Sequence, residues 1–250
     1  MSQIENLICG LNQSDGIAKN ALSQLASSIE TFSTRSLSFL NGAAGATEVL
    51  AFGPFCARVL LENSCAALVG RLDPFRMLYL SEFQNQAEYE HGKRARSSFS
   101  WTGDVVPVDE KNQVLWNIDY EVLKISRALF SKHLDHIYWK PAVDKMLDFV
   151  SGLPNDPALT EIYSLDSETY LKETSGRSNQ LYSMLSKGVH WEFFTSALLF
   201  DEQTVKNAIR DTCLLIAHLG LVSHFIPTAY SCLAPAEAVE KYVSYRNLFS

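Results

Sequence analysis

The chain is short of positive charge: 21 Lys and Arg stand against 28 Asp and Glu, a formal net charge of −7 over 250 residues. That deficit excludes a protein that coats nucleic acid or an anionic membrane by charge alone, because such binding is driven by clustered cations. Cysteine motifs are missing too. Cys9, Cys56, Cys65, Cys213 and Cys232 are odd in number and widely spaced, with no CxxC and no Cys/His cluster at zinc-ligand spacing. The thiols therefore read as reduced and buried in a cytoplasmic protein. The opening MSQIENLICGLNQSDG lacks the basic and long apolar regions of a secretory signal, so no leader is expected. The longest apolar stretch, Cys213 to Pro227, is interrupted by His218, Gly220, Ser223 and His224, which makes it too short and too polar to span a bilayer. No Walker loop, dinucleotide fingerprint, HExxH or EF-hand loop is present, and no cofactor or metal is expected.

Alternating apolar and polar runs are nearly absent, whereas apolar residues recur every three or four positions through most of the chain. The expectation is an all-α protein: one helical domain over residues 1–250, an antiparallel bundle with additional C-terminal helices. The spacing predicts helices from about Asp15 to Leu40, Pro54 to Leu72, Asp73 to Arg96 and Ile118 to Tyr138. Others are predicted from Pro141 to Gly152, Ser167 to Glu173, Arg177 to His190, Glu202 to Gly220 and Pro235 to Phe249. The core bundle is expected over about residues 45–220. Residues 97–117 break the pattern with Gly103, Pro107 and a DEKN turn, and predict an irregular surface loop or small hairpin. SGLPNDPAL has the composition of a linker.

What the chain does contain is a pair of charges in an unexpected place. At about 100° per residue, Arg58 and Glu62 fall among Leu61, Cys65, Val69 and Ala66 in the middle of the apolar arc of their helix. A pair there must be desolvated, which costs several kcal/mol unless partners compensate. Arg before Glu is also the less favourable i,i+4 order on an exposed helix. Two uses are open: an internal ion pair that fixes helix register, or the lining of a polar pocket.

A second group lies on one edge of the late helix RSNQLYSMLSKGVHWEF, where Tyr182, Ser186 and His190 follow one another at one-turn spacing. Ser186 and His190 are close enough to share a hydrogen bond, but no nucleophile elbow surrounds Ser186. In RALFSKH, Arg127 precedes His133 with five residues between, and His133 falls on the apolar face. Basic residues cluster once, in HGKRARSS. There Lys93, Arg94 and Arg96 either complete a solvated helix end or grip phosphates with Phe99 and Trp101 beside them for base stacking.

The R-x-x-x-E of Arg58 and Glu62, the RLDP turn that follows, and the Y-x-x-x-S-x-x-x-H of Tyr182, Ser186 and His190 together resemble HEPN-type helical bundles of bacterial abortive-infection and related defence proteins. The likeness covers about residues 45 to 220. Many members are metal-independent endoribonucleases with an R-x(4-6)-H motif completed across a dimer, and Arg127 to His133 satisfies that spacing. Ala128 stands where active members often carry a polar residue nearby.

The resemblance implies RNA as substrate, a homodimer, and a partner protein within a defence system. It also implies that Arg127 stabilises phosphate charge and that His133 acts as acid or base, with His190 a further catalytic candidate; Lys93, Arg94 and Arg96 would hold the substrate. Such cleavage needs no metal. The competing expectation is a non-catalytic helical subunit in which Arg58, Glu62, Tyr182, Ser186 and His190 form one internal polar network that recognises a ligand or partner.

Overall fold

The computed structural model describes residues 3–10, 18–87, 89, 101, 128–189 and 201–249. Every regular element among them is helical, as the three- and four-residue spacing predicts. In chain order they are α1 (Gln3–Cys9), α2 (Lys19–Leu40), α3 (Ala46–Leu72), α4 (Pro74–Gln84), the single turn α5 (Lys132–Leu134) and α6 (Lys140–Ser151). The short α7 (Thr160–Tyr163), then α8 (Tyr170–Val189), α9 (Glu202–Ser223) and α10 (Pro235–Arg246) complete the set. No helix among the described residues is long and apolar enough to cross a membrane.

Local chemistry sets several boundaries. α2 stops where the sequence predicts, at Asn41-Gly42. Gly42 takes φ 74°, which glycine adopts without strain, and the Ala43 N–H then reaches back to the Ser38 carbonyl at 3.1 Å. Asp73-Pro74 separates α3 from α4, with Pro74 at the start of the new helix, where its missing N–H costs nothing.

α3 begins a full two turns before the predicted Pro54, so that proline lies inside the helix. α3 presses against α9 at this point: a Cβ added to Gly53 would lie 2.7 Å from the Val205 side chain. The predicted break at Pro141 is also absent. Lys132–Leu134 runs through one π turn, Asp135–Trp139, into α6, with the Lys140 N–H bonded to the Asp135 carbonyl just ahead of the proline. Similarly, the two short helices expected between Ser167 and His190 are one continuous α8 through Gly176.

α3 is the hub. It packs against α1, α2, α4, α8 and α9, and every residue from Ser64 to Arg71 is buried. Over that stretch the helix is buried on all sides and needs no polar face, so angular position there says little about exposure. The seven residues of α1 are too few to show a period in the sequence, yet Ile4, Leu7 and Ile8 are fully buried. Gly220 of α9 lets it approach, since a Cβ there would lie 3.0 Å from Leu7 and Ile8 atoms. Within the linker-like SGLPNDPAL, Asp156 caps a 3-10 turn through the Ala158 N–H at 2.8 Å, and Leu159 joins the core. The loop or hairpin predicted over 97–117 lies outside the described residues, Trp101 excepted. The helices predicted to Arg96 and from Ile118 lie in part outside them as well.

Candidate functional site

α3 and α8 lie side by side and bring Arg58, Glu62 and Tyr182 together. Arg58 Nε donates to Glu62 Oε1 at 3.1 Å, and Arg58 Nη2 donates to Tyr182 Oη at 3.0 Å. The guanidinium carbon stands 4.9 Å from the centre of the Tyr182 ring, within cation–π reach. Behind Tyr182 the aromatic contact continues: Trp101 meets its ring edge-to-face at 6.1 Å and Phe130 at 5.7 Å. Trp101 is only 5% exposed, so it backs the cluster instead of offering a surface for base stacking.

The expectation of a fully desolvated pair is corrected here. The Arg58 and Glu62 side chains keep 21% and 37% of their exposure, because the pair lies where the α3–α8 seam opens to solvent. Arg58 Nη1 and Glu62 Oε2 have no hydrogen-bond partner among the described residues. Three guanidinium N–H groups and one carboxylate oxygen thus stay available beside an aromatic ring.

Ser186 lies one turn beyond Tyr182, but its hydroxyl donates to the Tyr182 carbonyl at 2.7 Å, a back-bond along the helix that occupies its proton. His133 is 8% exposed at the start of α5. Arg127, His190, Lys93, Arg94 and Arg96 lie outside the described residues. No group of three metal-ligating side chains occurs among the described residues. Burial pushes the Cys9 and Cys213 thiols up to about 12 and keeps them protonated.

The ion in the interior is a different arginine. Arg71, the first residue of the RLDP turn, has no exposed surface. Its Nε donates to the Tyr230 carbonyl at 2.9 Å, and its Nη1 to the Ile8 carbonyl at 3.1 Å and Ser223 Oγ at 2.6 Å. Nη2 meets His224 Nδ1 at 3.2 Å and Cys232 Sγ at 3.5 Å.

His224 Nε2 lies 2.8 Å from the Leu7 carbonyl and must donate to it. Nδ1 is therefore the acceptor, and it also takes the Leu233 N–H at 3.0 Å. Burial, and then the charge of Arg71, hold the His224 pKa well below its usual value and keep the ring neutral. A basic residue in the last turn of a helix ordinarily just complements the dipole, and the partners of Arg71 are far away in sequence.

Comparison with known proteins gives no match: no protein-family model, curated protein or solved structure matches the chain. The two arginine centres therefore have to be judged by their geometry. Every polar hydrogen of the Arg71 guanidinium is used, which makes that centre a fastening. The Arg58 centre keeps unused hydrogen-bonding capacity at the surface, as a recognition site must.

Proposed function

We propose that this chain is a HEPN-like helical protein of the bacterial defence or toxin type, working as a ligand- or partner-recognising subunit through Arg58, Glu62 and Tyr182. The observation that carries the reading is the 3.0 Å bond from Arg58 of α3 to Tyr182 of α8. It joins two short patterns, R-x-x-x-E and Y-x-x-x-S-x-x-x-H, that are far apart in sequence and that together suggested the likeness. An arginine with a spare N–H, a carboxylate with a spare oxygen and an aromatic ring are the groups that orient a polar ligand or anchor an interface.

Recognition is preferred to catalysis on chemical grounds. An endoribonuclease of this kind would need His133 to reach a ribose 2′-hydroxyl, and that ring is 8% exposed. A symmetric dimer and an RNA ligand belong to the same proposal, as does action inside the cell.

The test is phage challenge of a bacterial host expressing the wild-type chain or Arg58→Ala, alongside RNA-cleavage assays of purified wild type and His133→Ala. Protection or toxicity that disappears in Arg58→Ala while the protein still folds supports the reading. Equal phenotypes for the two would overturn it. RNA cleavage that is lost specifically in His133→Ala would move the chain to the enzyme class.

A further inference from the structure

A large cleft between α8 and α9 is lined by charges that cancel: Arg177 pairs with Asp211 at 3.2 Å, and Lys172 is offset by Glu173. A smaller cavity is not balanced in this way. It has a volume of about 350 Å³ and lies where the end of α2, one face of α9 and the final turn, Asn247–Phe249, come together. Gln203, Lys206, Asn207 and Arg210 reach it from α9 at the i, i+3, i+4, i+7 spacing that puts them on one face. Asn41 reaches it from α2, and Leu248 and Phe249 form an apolar side. The described residues that line it include two cations and no carboxylate, in a chain whose net charge is −7.

The polar side chains here are donors with hydrogens to spare. Arg210 Nη2 donates to the Phe249 carbonyl at 2.5 Å, its one hydrogen bond among the described residues. Four of its N–H groups are left, and its charge has no answering anion there. Lys206 Nζ pairs at 2.6 Å with Glu202, which lies outside the lining, and keeps two N–H groups. Gln203 Nε2 donates to Asn207 Oδ1 at 2.9 Å, which occupies the Asn207 oxygen and leaves both of its amide hydrogens for a guest. The Asn41 side chain has no hydrogen-bond partner among the described residues. At the end of α2 the Leu37 and Ser38 carbonyls are already taken by the Asn41 and Ala43 N–H groups, which weakens the negative pole an anion would otherwise meet.

We infer that this cavity binds the phosphate group of a small phosphomonoester. A phosphate dianion brings two charges and three strong acceptor oxygens, which match Arg210, Lys206 and the amide hydrogens of Asn41 and Asn207. The planar fork of Arg210 can serve two of those oxygens at once. A carboxylate, with one charge and two oxygens, leaves donors unused. At about 30 Å³ per water the cavity has room for roughly twelve waters, more than a phosphate alone fills, so a short organic part rests on Leu248 and Phe249. Nucleic acid fits less well, because a strand spreads its charge along its length and is held by a track of cations, not by two at one point. The site shares no residue with the Arg58 centre and does not rest on the function proposed for it.

The experiment titrates glycerol 3-phosphate into the purified full chain by isothermal calorimetry, with inorganic phosphate, acetate and an oligothymidylate as further probes. The ester should bind more tightly than inorganic phosphate, and its binding should strengthen as the pH rises through about 6, where a phosphomonoester loses its second proton. Arg210→Gln should weaken binding about tenfold or more. Because that change also releases the Phe249 carbonyl, Asn41→Ala serves as the second variant. Its side chain has no partner to lose, so the melting temperature should stay at the wild-type value while affinity falls about threefold. Absence of saturable binding by the wild type overturns the proposal, as does wild-type affinity in both variants. Equal affinity for acetate, tighter binding of inorganic phosphate, or displacement of the ester by a lower concentration of oligothymidylate overturns it as well.

Discussion

Arg58 and Arg71 belong to the same helix, thirteen residues apart, yet one lies at a seam open to solvent and the other in the dry interior. On a helical wheel Arg58 looked the more buried. The difference lies in what the neighbours provide. Around Arg71, three turns or loops end together and offer the Ile8 and Tyr230 carbonyls, the Ser223 hydroxyl and a neutral imidazole. Free acceptors of that kind exist where helices terminate. Around Arg58 the adjoining stretch of α8 is in mid-helix with its backbone already bonded, so only side chains can answer, and one carboxylate and one phenol do so. An arginine can be taken fully inside only where the backbone has groups to spare.

Substitutions can break this contrast. The largest effect should come from Arg71→Ala, which strands the Ile8 and Tyr230 carbonyls in the core. Urea unfolding should show a loss of about 3–5 kcal/mol, the usual cost of removing one member of a buried ionic or polar network. A loss below about 1 kcal/mol would mean that water reaches the centre.

The next effect is acid sensitivity. The folded-state pKa of His224 is depressed, chiefly by burial, from an ordinary 6.5. The unfolded chain therefore takes up a proton that the folded one refuses. The stabilisation is complete above pH 6.5 and falls away below it, by at most about 1.4 kcal/mol per pH unit. His224→Gln should flatten that limb of the stability–pH curve, and an unchanged slope would clear His224 of the role.

A separate limb should appear lower down. Glu161, hydrogen-bonded to Arg246 and 3.4 Å from His218 Nε2, has its carboxyl pKa held down to about 2, with the His218 contact the main cause. Its contribution is present above pH 4.5 and is lost as the pH falls toward 2, so Glu161→Gln should remove only this lower step.

Tyr182→Phe deletes one hydrogen bond to Arg58 and keeps the ring, and should cost about 0.5–1.5 kcal/mol. Smallest of all, Glu62→Ala should change stability by less than about 1 kcal/mol, since the pair is partly solvated. A deficit of several kcal/mol would restore Glu62 to the interior and erase the contrast between the two arginines.

The helical class was legible because three- and four-residue spacing is a local property, and so was the α2 stop at Asn41-Gly42. Errors came where tertiary contact overrides local rules. Pro54 sits within α3 because packing on α9 holds the helix there. Gly176 does not interrupt α8, and the π turn carries the chain past Pro141. The meeting of Arg58 with Tyr182 was anticipated, since both lie on helix faces that the pattern marks. Its partial exposure was not, because a wheel describes one helix and not the width of the seam beside it. Arg71 was illegible for a plainer reason: its partners at residues 8, 223, 224, 230 and 232 have no pattern in common with it.

Those separations carry a consequence for synthesis. The carbonyl of Leu7 waits for an imidazole 217 positions later, and Arg71 waits more than 150 positions for Ser223, Tyr230 and Cys232. A ribosome adding about 5–20 residues per second must therefore run on for roughly 8 to 30 seconds after Arg71 is made before its last partner can arrive. Through that interval the nascent α1 and α3 have no finished interior to enter, and they are exposed to whichever chaperone binds emerging apolar chain.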